Sequence, residues 1–310
     1  MEQNTNPTPQ SPVTHSGFIS IVGKPNAGKS TLVNQLLGQA VAGVSAKPQT
    51  TRRRQLVILT TEAYQLILVD TPGLHEPKDK LSQFINSEAR YALHDADVIV
   101  FLADGSERPD ENDAALAELV KEVGGDIPVV LAINKSDSVN PAVLDANRQA
   151  FVKLVPARDV LTLSALTGKG ITPLLNTLAS LVPEGPFYYP EDQVTETFER
   201  DIAAEMIRAA AMNELEDEIP YSIATRVDEY STRENGVIYV KGTIFVERDA
   251  QKAIVIGRNG AKIKQIGSAA RQEIEKMNGE KVFLDLTVKV RKDWKNDQAF
   301  LRELGLTEQG

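Results

Sequence analysis

"FISIVGKPNAGKST", residues 18–31, is the stretch on which the fold turns. An apolar run of strand length leads into a segment that fits G-x-x-x-x-G-K-[ST], and a helical pattern follows. Glycines in such a turn let the backbone wrap a phosphate chain, successive N–H groups point inward, and the helix N-terminus adds a favourable field. The spacing predicts a loop over Gly23, Lys24, Pro25, Asn26, Ala27, Gly28, Lys29, Ser30 and Thr31 that cradles a triphosphate. Lys29 is expected to reach the β- and γ-phosphates, and the Ser30 hydroxyl to ligate Mg²⁺. A strand, a phosphate loop and a helix in that order belong to an α/β sheet.

Outward from this loop, short apolar runs alternate with amphipathic stretches from residue 18 to 182. The predicted strands are 18–22, 55–61, 64–70, 98–104, 128–134 and 160–165. Only two residues separate the second from the third, and a parallel crossover needs about a dozen. Those two must form a hairpin, so the sheet is mixed, with helices on its flanks. "PEGPFYYPED" (183–192) carries three prolines and a glycine and marks a linker over 183–195. Beyond it the pattern reads helix (197–215), two strands (221–230 and 236–246), helix (249–256), a glycine turn, helix (261–277), strand (282–290) and a terminal helix. The expected domains are therefore 17–182 and 196–310, the second a smaller α+β unit, with residues 1–16 as a polar tail.

Composition narrows the classes. With 310 residues, 42% hydrophobic and 25% charged, the chain suits two soluble domains. Its apolar runs are strand-sized, well short of a bilayer span, and its start lacks the basic and apolar regions of a secretory signal. It has no cysteine and three scattered histidines, which fits a reducing cytoplasm and argues against a zinc site. The net charge of −9 is uneven: residues 252–295 hold eleven Lys/Arg against five Asp/Glu, leaving the remainder at −15. An acidic body with one basic segment can grip a polyanion locally.

A phosphate loop alone does not name the base. "DTPGL" supplies Asp70 to hold Mg²⁺ through water, then Thr71, Pro72, Gly73 and Leu74, with the Gly73 N–H placed to sense a γ-phosphate. "NKSD" offers Asn134, Lys135 and Asp137 after the fifth strand. An ionised carboxylate at Asp137 can accept from both N1–H and the N2 amine of guanine, a donor pair that adenine lacks. "SAL", residues Ser164, Ala165 and Leu166, would close the base pocket with its backbone.

These motifs, in this order, resemble those of the translation-factor-related GTPases, and "QTTRRR" (49–54) resembles the switch segment of the Era branch. The resemblance implies a P-loop GTPase acting on GTP with Mg²⁺. Thr51, or alternatively Thr50, would complete the Mg²⁺ shell; the bland alternative is a solvated basic loop. Catalysis would rest on Lys29, Thr51 and Gly73. Leu74 stands where Ras-like enzymes have a water-positioning glutamine, which predicts slow intrinsic hydrolysis. Asn26 matches a position that helps hold K⁺ in a related subgroup, so K⁺ joins the expected cofactors.

"VIGRNGAKI" (255–263) contains a second glycine turn, but no Lys-Ser/Thr follows it and helical patterns lie on both sides. A capped helix–helix turn would look the same. The element order and the local +6 charge instead resemble a type II KH domain, whose G-x-x-G turn clamps single-stranded nucleic acid by its backbone. On that reading Ile256, Gly257, Arg258, Asn259, Gly260, Lys262, Ile263 and Lys264 would touch RNA, with Ile254 part of an apolar floor. Trp294 could stack on a base but reads better as a core anchor. The whole arrangement resembles the Era family over about residues 17–305. That implies binding near the 3′ end of 16S rRNA and action in assembly of the small (30S) ribosomal subunit. It also implies a cytoplasmic protein with weak peripheral association at the inner face of the cell membrane; a monomer is the default. A nucleotide kinase would leave "NKSD" surplus, and a membrane-surface scaffold would use the same basic segment on anionic lipid.

Overall fold

The computed structural model describes residues 14–38, 42–43, 52, 55–71, 79–195 and 197–307. Runs such as "VIVFLAD" are buried on both faces, as a central parallel strand requires. Among the described residues, six strands make the first sheet: β1 (His15–Val22), β2 (Gln55–Thr60), β3 (Tyr64–Asp70), β4 (Val98–Asp104), β5 (Val129–Asn134) and β6 (Asp159–Thr162). They lie in the order β2-β3-β1-β4-β5-β6. β2 runs antiparallel to β3, the expected hairpin, and the other neighbours are parallel. The helices α1 (Lys29–Leu37), α2 (Lys80–His94), α3 (Glu111–Gly124) and α4 (Pro141–Leu154) lie between its strands, and α5 (Ile171–Leu181) follows β6. One buried cluster, with Leu32, Val100 and Leu174, fills one face, and another, with Phe101, Leu116 and Phe151, fills the other. The loops after β1, β5 and β6 and the end of β3 at Asp70 thus meet at the carboxyl edge, where open α/β sheets bind ligands.

Two edges of this sheet differ from the sequence expectation. The sequence places a polar tail over 1–16, but β1 starts at His15, which pairs with Tyr64, and Ser16 is buried. The ladder with β3 extends as far as a partner strand exists, whatever the polarity of its last rungs. Residues 1–13 lie outside the described set. The sixth strand ends at Thr162, short of 165, because Ser164 and Ala165 turn: Gly168 N–H donates to Ser164 O at 2.9 Å and Ala165 N–H to Asn134 Oδ1 at 2.9 Å.

The second unit comprises α6 (Glu199–Glu214), α7 (Ile219–Ser222), β7 (Ala224–Thr232), β8 (Ile238–Val246), α8 (Asp249–Ile256), α9 (Ala261–Asn278), β9 (Val282–Val290) and α10 (Gln298–Glu303). Its sheet has the order β7-β8-β9, with β7–β8 antiparallel and β8–β9 parallel. α6 and α9 cover one face through Met206, Ile207, Ile266 and Ile274, packed on Val240 and Ile244. The strand expected over 221–230 begins only at Ala224 and runs to Thr232, because Pro220 opens the single-turn helix α7, which takes Tyr221 and Ser222.

The linker is fastened to the first sheet. Ile58 N–H donates to Val194 O at 2.9 Å, Thr195 Oγ1 donates to Leu56 O at 2.6 Å, and Gln65 Nε2 donates to Tyr189 O at 2.9 Å. It therefore covers the edge strand β2, which would otherwise present unpaired backbone groups. A further cluster joins Leu81, Phe84 and Ile85 of α2 to Phe245, Trp294, Phe300 and Leu306. The helix that follows residues 70–78 is thus docked on the C-terminal unit.

Candidate nucleotide and nucleic-acid sites

The loop between β1 and α1 bends through Asn26 and Gly28, both at positive φ (66° and 100°). A Cβ on Gly28 would lie 2.4 Å from Asn134 Nδ2, so only glycine fits there. Lys29 is buried at the start of α1, and its ammonium donates to Gly23 O at 2.8 Å and Lys24 O at 3.2 Å. It spans the loop's concave side. Burial holds the Lys29 ammonium below the ordinary lysine value, with the Asp70 charge countering. Lys24 points elsewhere: its ammonium meets Glu107 at 2.9 Å, and Asp110 and Asp113 at 3.4 Å. Burial works against that charge, but the bond to Glu107 and the two aspartates outweigh it and raise Lys24 above the usual range. Lys24 can serve a phosphate only through its backbone.

Asp70 ends β3 fully buried, and Ser30 Oγ donates to its Oδ2 at 3.2 Å. A hydroxyl and a carboxylate this close, beside the lysine ammonium, are the donor set that a hard divalent cation takes. The residues therefore fit Mg²⁺. Thr71 Oγ1 donates to Ile21 O at 2.7 Å and ties β3 to β1. Thr50, Thr51, Pro72, Gly73 and Leu74 lie outside the described residues.

Asn134 does something the sequence did not disclose. Its side chain is 2% exposed; Nδ2 donates to Ala27 O at 2.8 Å and Oδ1 accepts from Ala165 N–H at 2.9 Å. It ties the phosphate loop to the "SAL" turn. Lys135 adopts positive φ, and its ammonium donates to Asp104 Oδ2 at 2.6 Å. Burial opposes the Asp104 charge, but hydrogen bonds from Lys135 and Ser106 hold its carboxyl below the ordinary value. Asp104, at the end of β4, escaped the motif reading because no short pattern contains it. Asp137 is exposed at the same edge, as is Leu166 (73% exposed), while Ser164 and Ala165 are buried beneath them.

The second glycine turn joins α8 to α9. Gly257 has φ 72°, and a Cβ there would lie 2.6 Å from Lys262 Cβ and 2.8 Å from its N. Asn259 and Gly260 also take positive φ, and one 3₁₀ turn spans Arg258–Gly260. Arg258, Asn259 and Lys264 are exposed, whereas Lys262 is half-buried with its ammonium 3.6 Å from Glu214. Ile256 and Ile263 lean on the core; Ile254 is half exposed. Trp294 is fully buried and donates from Nε1 to Ser222 O at 2.9 Å, a core anchor as the sequence reading favoured.

Comparison with known proteins agrees with this geometry. Residues 18–135 match the family described as 50S ribosome-binding GTPase, and residues 218–295 match the KH domain family. The molecule is thus a P-loop GTPase joined to a KH domain. GTPase Era of Geobacter metallireducens is 42% identical over 94% of this chain and 98% of its own length; that of Lactobacillus delbrueckii subsp. bulgaricus is 43% identical over 94% and 95%. This chain belongs to the GTPase Era family. Two crystal structures each superpose with TM-score 0.89 at 37% identity, covering 95% of this chain and all of theirs. One is Era with MgGDPNP and nucleotides 1506–1542 of 16S ribosomal RNA; the other is an Aquifex aeolicus Era variant bound to GDP·AlF4⁻.

Proposed function

We propose that this GTPase is a switch whose KH domain binds 16S rRNA near its 3′ end and which assists maturation of the small ribosomal subunit. One observation carries the reading: a nucleotide edge and an exposed, basic Gly-Arg-Asn-Gly turn occur in one chain. A relative of the same architecture has been solved with both ligand classes. The first domain begins with β1 at His15 and runs to 182, and the second runs over 196–310, joined by 183–195.

At the nucleotide edge, the backbone of 23–31 binds the phosphates while Lys29 moves from its loop carbonyls onto the β/γ oxygens. Mg²⁺, when bound, neutralises developing charge on the phosphates. Ser30 and Asp70 orient it, and Thr51 joins them. Gly73 offers its N–H to the γ-phosphate, and Leu74, which cannot orient water, leaves intrinsic hydrolysis slow. Asp137 reads guanine, Asn134 holds the pocket together, and Ser164, Ala165 and Leu166 close it. Asn26 provides a K⁺ position; equal turnover in KCl and NaCl would remove that role.

At the RNA turn, Gly257 and Gly260 let the chain approach a phosphodiester, with Arg258, Lys262 and Lys264 around it. The docking of α2 on the C-terminal unit couples the segment after Asp70 to the KH domain. RNA affinity should therefore differ between GDP and a non-hydrolysable GTP analogue, and by linkage RNA should alter nucleotide affinity. No helix among the described residues is long and apolar enough to cross a membrane. We place the protein in the cytoplasm as a monomer, its basic surface also supporting weak contact with the inner face of the membrane. The test is a Gly257→Asp, Gly260→Asp double variant and an oligonucleotide from the 16S 3′ end. RNA binding should vanish while GTP turnover persists; intact RNA capture with impaired turnover would overturn the assignment.

A further inference from the structure

Where the start of β2 meets the C-terminal unit, a cavity of about 290 Å³ is walled by five arginines: Arg52, Arg200, Arg208, Arg226 and Arg302. Three carboxylates share the wall, Asp201, Glu205 and Glu303, so the cations outnumber them. Arg208 holds Glu205 through both Nε at 3.1 Å and Nη2, with Nη1 donating to Met212 Sδ at 3.1 Å, and Arg226 meets Asp228 at 2.7 Å and Glu303 at 3.2 Å. Arg52 is differently placed. It is 4% exposed, with its guanidinium 5.3 Å from the centroid of the Trp294 ring and Nη1 donating to Ile223 O at 2.9 Å. Its Nε is buried and has no hydrogen-bond partner among the described residues.

Arg208, 1% exposed, is a second deeply buried guanidinium on the same cavity. Burial pushes Arg52 down to about 9, Arg208 adds to the depression, and Glu205 and Asp79 offset only part of it. A buried cation with an unused donor and another cation nearby is costly, and an anion removes both defects at once. Guanidinium forks also match phosphate oxygens in geometry.

We propose that this interdomain cavity is a binding site for a small, multiply charged phosphate group of the pyrophosphate class, held by Arg52, Arg208, Arg226 and Arg302. The size favours this ligand, since pockets for drug-sized molecules start at about 300 Å³. A compact oxyanion fits where a whole nucleotide would not. Depth favours a free anion over a polymer: two of the four cations are nine-tenths or more buried, out of easy reach of a phosphodiester on a continuous strand. Arg52 directly follows Thr51 in sequence. A bridging anion would therefore fasten that segment to the C-terminal unit, and its affinity would be linked to the nucleotide bound elsewhere.

The test uses the full chain saturated with GDP, so that the phosphate loop is occupied, and titrates inorganic pyrophosphate by calorimetry at matched free Mg²⁺. A dissociation constant on the order of 0.1 mM is expected for several charge-assisted hydrogen bonds. Arg302→Glu, on the solvent side where folding is not at stake, should weaken binding about tenfold or more. Arg52→Met, which keeps an apolar stem against Trp294, should do the same. Glu205→Gln, which removes a competing carboxylate, should tighten it. Absence of binding up to about 10 mM pyrophosphate would overturn the proposal, as would affinity that ignores all three substitutions. Loss of pyrophosphate binding in the Gly257→Asp variant, with displacement by the 16S oligonucleotide, would also overturn it and assign the arginines to the RNA path.

Discussion

Replacing Asn134 by alanine separates two roles that the Asn-Lys-x-Asp motif alone cannot. If Asn134 ties the loops, the substitution strands two buried backbone groups, Ala27 C=O and Ala165 N–H, whose partners stand at 2.8 and 2.9 Å. An unsatisfied buried group costs about 1–3 kcal/mol, so the pair costs about 2–6 kcal/mol, and partial relaxation of the turns brings the expected loss to about 2–4 kcal/mol. Urea unfolding with the slope held common reads this directly. The nucleotide should suffer too, because the loop must be held open before it binds. GDP affinity should fall about tenfold to a hundredfold, the equivalent of about 1.4–2.8 kcal/mol.

The discriminating measurement is a comparison of GDP with IDP, which lacks the guanine N2 amine. A residue that only positions the loops should lower both affinities in parallel, leaving their ratio as in the parent. A residue that reads the guanine 2-amine would change that ratio. Asn134→Asp refines the point: it keeps an acceptor for Ala165 N–H but sets an oxygen against Ala27 C=O, so it should be no better than alanine. Stability lowered by less than about 1 kcal/mol, or a changed GDP-to-IDP ratio with the loops intact, would refute the reasoning.

Three further outcomes follow from the same geometry. Asp137→Asn should cost GDP binding about a hundredfold or more and recruit xanthosine diphosphate, whose C2 carbonyl accepts where guanine donates; competition binding checks it. Asp104 has a folded carboxyl held below its ordinary value, so its stabilisation is complete above about pH 4 and is lost as pH falls through the folded value. The stability gap between parent and Asp104→Asn should accordingly close between neutral pH and strong acid, as followed by urea titrations at stepped pH. Trp294→Phe leaves Ser222 C=O without its donor and should lower stability by about 1–2 kcal/mol, with near-ultraviolet dichroism confirming a retained fold.

Much of this was legible in the sequence because the nucleotide edge is built from local rules. A phosphate loop needs glycines at fixed offsets from a strand and a helix, and the β2–β3 hairpin follows from a two-residue gap that nothing else can span. The boundaries of β3, β4 and β9 coincide with their apolar runs for the same reason. What the sequence hid depends on partners far along the chain. Asn134 looks like a ligand contact until Ala27, 107 residues away, takes its amide proton. Arg52 sits in "TTRRR", where the plain alternative was a solvated loop, yet it is buried because Trp294 offers a ring and Ile223 a carbonyl. Neither partner carries any pattern pointing back to residue 52. Both hidden residues have one physical feature in common: a polar group is buried where two loops or two units meet, and its hydrogen bonds set which arrangement of them is stable. Asn134 is paired at both side-chain atoms and so fixes one geometry, whereas Arg52 keeps a donor with no partner among the described residues. A junction with an unsatisfied cation is stabilised by whatever anion reaches it. The arrangement of the two units should therefore respond to phosphate-bearing solutes as well as to the nucleotide.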